Sequence, residues 1–181
     1  MARFHTTLDD RHRRFIAAQK LFFTATAPSG GRINLSPKGM DSLRVIDAKC
    51  VAYLDLTGSG NETAAHLKHD GRITMMFCSF DDDPLILRLY GRGRVVRRQD
   101  ADWTQWRAHF PALPGERQII VLAIESVQTS CGYAVPRFEY CGERDTLMRW
   151  AEKKGTLGLL EYWRDKNQTS IDGLATGLLE E

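Results

Sequence analysis

The spacing of apolar and polar residues changes period several times along the chain, and each change marks an element. Leu8, His12, Phe15, Ile16 and Gln19 recur at helical spacing, which predicts a helix from Thr7 to Lys20 capped by Thr7 or Asp9. The pattern then shortens to a period of two. Leu21–Ala27 is rich in β formers, Pro28-Ser29-Gly30-Gly31 is a turn, and Arg32–Ser36 alternates polar with apolar, so a β-hairpin is predicted, ended by Pro37-Lys38-Gly39. Two short strands follow at Leu43–Asp47 and Cys50–Thr57. After Gly58-Ser59-Gly60-Asn61 the stretch Glu62–Lys68 reads as a helix with Ser59 or Asn61 as cap, closed by Asp70-Gly71. Arg72–Phe80 and Leu85–Arg98 are strands around an Asp-Asp-Asp-Pro turn, and Gly91 and Gly93 predict a bulge or bend in the second. Asp100–Phe110 carries Trp103, Trp106 and Phe110 on one helical face, and Gln118–Gln128 is the last clear strand. Glu143–Lys154 and Leu157–Asn167 form two amphipathic helices split at Gly155, followed by a glycine-containing tail.

Closely spaced strands with few helices between them exclude a doubly wound parallel sheet and predict an antiparallel barrel with helices at its ends. Composition narrows the class without adding an element. The 181 residues are 43% hydrophobic and 27% charged, an ordinary globular profile that excludes collagen-like, disordered and coiled-coil chains. No apolar run approaches the roughly 20 residues of a membrane span. The opening MARFHTTLDDRHRR has no apolar signal core, and a net charge of +2 supplies no general attraction for nucleic acid. Cys50, Cys78, Cys131 and Cys141 form no C-x-x-C pair, so structural zinc is not expected. A cytoplasmic protein with reduced thiols is the expectation, with neither membrane nor nucleic acid as partner.

The junction from Val51 to Leu67 carries the most chemistry. Gly58 and Gly60 let successive backbone N–H groups converge, and a helix N-terminus follows, an arrangement suited to a phosphate. It is not a dinucleotide fingerprint, because position 63 is Thr63, and no Gly-Lys-Ser/Thr follows to make a P-loop. Read alone, a Gly-Ser-Gly stretch before a helix is more often a plain turn. Asn34, Ser36 and Lys38 share one side of the hairpin and suit a polar ring edge or an anion; the alternative is a solvated face. Arg88 is a lone cation in Leu85–Tyr90 that faces solvent, a carboxylate or an anionic ligand, and Arg44 has the same choice. The five histidines are scattered and form no metal motif, and no G-x-S-x-G elbow is present. The tryptophan stripe reads as packing, and Arg92–Arg98 as a basic strand face.

Taken in order, Phe22–Thr26 with Asn34–Gly39, Val51–Thr63 and the strand into Leu89-Tyr90-Gly91-Arg92-Gly93 resemble the pyridoxamine 5′-phosphate oxidase-like family of FMN-binding split barrels, over roughly residues 12 to 130. Ser130–Pro136 and Ser170–Leu174 are similar to one branch of it. The resemblance implies a mainly β fold: a six-stranded antiparallel split β-barrel of Greek-key type, with flanking helices and a helical C-terminal segment. It divides the chain into an FMN-binding barrel domain at residues 1–141 and a helical extension at 142–181 that packs on the barrel or on a partner. It further implies a homodimer with FMN in clefts between subunits and an FMN-dependent oxidoreductase acting on a small molecule. The alternative within the fold is a flavin or deazaflavin carrier without turnover. Haem, bound by some related barrels, would need an axial histidine, and no His follows His109.

Carried onto this chain, the phosphate falls to Thr57 and Asn61-Glu62-Thr63 with Ser59 on the intervening loop, and the ring to Ser36 and Lys38. Where the oxidase has Ser-Arg-Lys, this chain has Asn61-Glu62-Thr63, so the phosphate charge falls to Lys38, Arg44 and Arg88. The oxidase's basic C-terminal segment also has no counterpart, and its substrate is therefore not implied. Ser170-Ile171-Asp172 is expected to close over the cleft.

Overall fold

The computed structural model describes residues 2–180. In chain order the elements are β1 (Arg3–His5), α1 (Asp10–Ala18), β2 (Phe22–Thr26), β3 (Asn34–Lys38), β4 (Leu43–Val45), β5 (Cys50–Leu56), α2 (Glu62–His69), β6 (Arg72–Cys78), β7 (Ile86–Val96), α3 (Trp103–Arg107), β8 (Glu116–Ser130) and α4 (Thr146–Lys166). The strands form one sheet in the order β3-β2-β6-β7-β8-β5-β4, with β1 on β8, and every pairing is antiparallel. The sheet curls into a half-barrel around one main core. Eight strands replace the expected six. The long β8 explains part of the surplus, because it pairs with β7 on one edge and offers its other edge first to β5 and then to the three-residue β1. A strand of three residues is too short to show alternation in the sequence.

Alternation decides which face of each strand is buried. Phe22, Thr24 and Thr26 of β2 point inward, as do Ile73, Met75 and Phe77 of β6. The register places Met75 opposite Leu89 and Phe77 opposite Leu87, so their side chains share one core with Tyr53 and Leu122. Each such side chain contributes about 1.5–3 kcal/mol by leaving water. β5 is apolar on both faces for a different reason. Val51 and Tyr53 fill the barrel, whereas Ala52 and Leu54 join a second cluster with Phe110, Ile119 and Val121, against which Trp103 and Trp106 pack. The tryptophan stripe is packing.

Local chemistry sets the ends and bends. Asp9 caps α1 by accepting from the His12 amide at 2.8 Å, while its own amide donates to His12 Nδ1 at 3.2 Å. The register of β7 against β8 shifts between Tyr90 and Gly91, where a Cβ would fall 1.9 Å from the Ala123 carbonyl oxygen. Close approach of two backbones therefore requires Gly91. α4 is two helices joined at Gly155, whose φ of 62° and ψ of 176° break the helical geometry.

Candidate functional site

The polar side of β3 faces the loop that follows β5. Between them lies a cleft of about 330 Å³ lined by β3 from Asn34 to Lys38 except Leu35, by Asp55 and Leu56, by Gly58–Thr63 and by Arg117. Asn34, Ser36 and Lys38 reach it together because the strand's period of two puts them on one side and turns Leu35 outward, while Pro37 borders the cleft at its edge. Ser36 Oγ donates to Asn34 Oδ1 at 3.0 Å, and Asn34 Nδ2 donates to Thr63 Oγ1 at 3.2 Å. One hydrogen-bonded row thus runs from the strand to the first turn of α2.

The floor of the cleft is ionic. Asp55, 3% exposed in its side chain, accepts from Lys38 Nζ at 3.0 Å and from Arg117 Nη2 and Nε at 2.7 and 3.1 Å. Gln118 Nε2 adds a donor at 2.9 Å to Asp55 and another at 2.7 Å to Asn61 Oδ1. Burial alone would favour the neutral acid, but the Arg117 and Lys38 charges and these donors outweigh it and hold Asp55 well below the usual carboxylate range. For Lys38, burial opposes the charge, and the facing carboxylate more than restores it, leaving its pKa above the ordinary lysine value. Desolvation pushes the enclosed Tyr53 phenol, whose ring lies 5.5 Å from Lys38 Nζ, up to about 12. The cluster of two cations and one carboxylate carries one net positive charge.

The loop holds its shape through the C-terminal segment. Arg117 Nη1 donates to the Gly60 carbonyl at 3.0 Å and to Asn167 Oδ1 at 2.8 Å, and Asn167 Nδ2 donates to the Gly58 carbonyl at 3.2 Å. Asn61 occupies the N-cap of α2 but forms no side-chain cap, because its carboxamide is taken by Gln118 and the Asn167 carbonyl. A Cβ on Gly58 would meet only the Gly60 oxygen at 4.0 Å, so the glycine leaves open space instead of relieving a clash. The tail beyond Asn167 folds back over α2. The Ile171 amide donates to both Glu62 carboxylate oxygens at 3.1 Å, and Asp172 pairs with Arg32.

Of the nine residues the sequence nominated, Ser36, Lys38, Ser59, Asn61, Glu62 and Thr63 line this cleft and three do not. Thr57 is buried beside it, donating to the Gly115 carbonyl at 2.8 Å and accepting from Trp163 Nε1 at 2.9 Å, so its hydroxyl braces α4. Arg44, on β4, is held by Asp41 at 2.6 Å and by the His109 carbonyl at 2.8 Å. Arg88 sits on β7 opposite Met76 and Gln128, on the outer face of the sheet. Asp55 and Arg117 were not nominated. A lone acid within the apolar run Val51–Leu56 was a signal for Asp55, since a buried carboxylate demands a cation; nothing local marked Arg117 as that cation. Among the described residues no cluster of His, Cys, Asp or Glu could hold a metal ion, and no helix is long and apolar enough to cross a membrane.

Residues 8–131 match the sequence profile of pyridoxamine 5′-phosphate oxidase. The chain is 40% identical over 189 residues to the pyridoxamine 5′-phosphate oxidase family protein ustO of Aspergillus flavus, covering 94% of this chain and 76% of that protein. A crystal structure described as a candidate pyridoxamine 5′-phosphate oxidase of Lactobacillus delbrueckii superposes with a TM-score of 0.56 at 21% identity, over 68% of this chain and 94% of the other. A FAD-binding protein of Mesorhizobium loti superposes with a TM-score of 0.50 at 11% identity, over 71% and 97% of the two chains. These two likenesses show a common fold. The profile match, the ustO relationship and the curled antiparallel sheet lead to one conclusion: the chain belongs to the pyridoxamine 5′-phosphate oxidase family.

Proposed function

We propose that the protein is an FMN-binding flavoprotein that acts as an oxidoreductase on a small organic molecule. The observation that carries this reading is the cleft between β3 and the Gly58–Asn61 loop, where a polar strand face meets a helix N-terminus free of a side-chain cap. Its donor set fits the group. Ser36 and Lys38 offer a hydroxyl and an ammonium to the polar edge of a flavin ring, and backbone N–H groups at Ser59–Thr63 offer donors and a positive dipole end to its phosphate. A cleft of about 330 Å³ suits a mononucleotide better than a dinucleotide. Bound there, the flavin would supply the electron or hydride acceptor. The chain's part is to position the ring and to keep a positive charge beside it through Lys38 and Arg117.

A carrier without turnover is the second reading. It draws on the fact that Asp55, Lys38 and Arg117, strongly charged groups of the cleft, are tied to one another and not poised to exchange protons. We further place a second copy of the chain on the outer face of β2, β6 and β7, where Phe23 lies opposite Met76 and Ile33 and Leu35 are 78% and 63% exposed. The division into a barrel at residues 1–141 and an extension at 142–181 belongs to the same reading, as does a reducing, cytoplasmic setting for four free thiols. Titration with FMN, FAD and deazaflavin tests the proposal. FMN is expected to bind saturably, with affinity reduced at least about tenfold by Lys38→Met, given the worth of a charged hydrogen bond. A protein indifferent to all three flavins would overturn it, and reduction of bound flavin by NAD(P)H separates enzyme from carrier.

A further inference from the structure

Gly58 and Ser59 wall the proposed flavin cleft on one side and a second, larger cavity of about 760 Å³ on the other. Its opposite wall comes from α4 and the segment before it. Tyr140, Leu147, Trp150 and Tyr162 line that wall, with Leu21 and Met40 facing them. Trp150 and Tyr162 lie on either side of the break at Gly155, and their rings meet edge to face at 5.1 Å and 79°. In an uninterrupted helix they would stand about 18 Å apart along the axis. The turn at Gly155 therefore builds the aromatic wall. Two exposed cations, Lys20 and Arg144, border the cavity, and neither pairs with a carboxylate among the described residues. The acid present, Glu143, accepts from the Tyr140 hydroxyl at 3.0 Å.

Resting on the flavin reading of the neighbouring cleft, we propose that this cavity is the substrate site and takes a flat aromatic carboxylate. The size falls within the usual range for small-ligand pockets. The apolar and aromatic lining suits a flat hydrocarbon body packed against Trp150 and Tyr162. The two unpaired cations give the carboxylate its partner and exclude cationic compounds of the same shape. Gly39 and Met40, which follow Lys38 of the cleft, also line the cavity and bring that body next to the proposed ring position.

Calorimetric titration of the full chain with 2-naphthoate, in the presence and absence of FMN, tests the assignment. 2-Naphthoate is expected to bind saturably, with affinity falling about tenfold in Trp150→Ala and similarly in the Lys20→Gln/Arg144→Gln double variant. Neutral 2-methylnaphthalene and the non-aromatic cyclohexanecarboxylate should each bind more weakly than 2-naphthoate. FMN affinity should be unchanged in these variants, and 2-naphthoate should perturb the visible spectrum of bound FMN. If Trp150→Ala unfolds by circular dichroism, Tyr162→Leu and the charge variant carry the comparison. Saturable FMN binding with no 2-naphthoate binding overturns this assignment alone. 2-Naphthoate binding without any flavin binding overturns the flavin reading and leaves an aromatic-acid site. A sedimentation mass that falls to the monomer on Trp150 substitution would assign the cavity to a second copy and overturn the small-molecule occupant.

Discussion

Asp55 lies where a carboxylate cannot stand alone. It is enclosed by the barrel, and two cations reach it from elements far apart in the chain, Lys38 from β3 and Arg117 from the start of β8. Asp55→Asn keeps the shape and removes the charge, leaving two cations with no carboxylate beside them. A loss of about 3–5 kcal/mol is expected, read from urea denaturation, with partial recovery when Lys38→Met is added. The pH dependence follows from the directions of the shifts. Asp55 has a native pKa below its unfolded value, so its contribution is complete above about pH 4 and disappears as the pH falls through the native value. Lys38 is shifted upward, so its contribution is complete below about pH 10 and is lost as the pH rises through the native value. Thermal midpoints should therefore show no step from this cluster between those limits; a step there that disappears in Asp55→Asn would contradict the pairing.

At the scale of elements, two glycines shape the neighbourhood of the site. Gly155 adopts a φ of 62° with an extended ψ of 176°, a region that side chains with a Cβ avoid. No neighbour stands within 4 Å of a Cβ built there, so the cost of Gly155→Ala is backbone strain alone, of order 1–3 kcal/mol. The same variant should loosen the contact between Trp150 and Tyr162, visible as a change in near-ultraviolet circular dichroism. Gly91 differs in kind, because a Cβ would strike the Ala123 carbonyl. Gly91→Ala should unsettle the β7–β8 pairing and lower the thermal midpoint by more than Gly155→Ala does. The anchoring of α4 is a third element-scale feature. Trp163 donates to Thr57, and Asn167 bonds the loop at Gly58 and Arg117 at once. Asn167→Ala is expected to raise proteolytic cleavage after residue 167 and to quicken hydrogen exchange at Gly58–Asn61.

For the molecule as a whole, the proposed assembly draws on the outer face of the sheet. Phe23, Met76 and Arg88 stand in register across β2, β6 and β7, and Ile33 and Leu35 project from the adjoining hairpin. If a second copy covers this face, Met76→Glu places a charge in the interface, and sedimentation should show the mass halved while circular dichroism is retained. An unchanged mass would remove this face from the interface.

The elements and their local chemistry were legible because their causes act over a few residues. Period-two alternation marked the β2–β3 hairpin, the glycine pair marked the loop before α2, and Gly155 marked the break in α4. Parity put Asn34, Ser36 and Lys38 on one side of β3, and the fold turns that side toward the cleft. Charge pairing was not legible, since its partners are remote: Arg117 meets Asp55 across 62 positions, and Trp163 takes the Thr57 hydroxyl across 106. Sequence determined strands β2–β8, the turns and the glycine-containing loop before α2, all products of short-range sterics and polarity. The tertiary structure decided which cations share the cleft. It placed Arg44 and Arg88 outside that cleft, because a side chain's electrostatic partner depends on which strands the curled sheet brings together, and no local pattern encodes that.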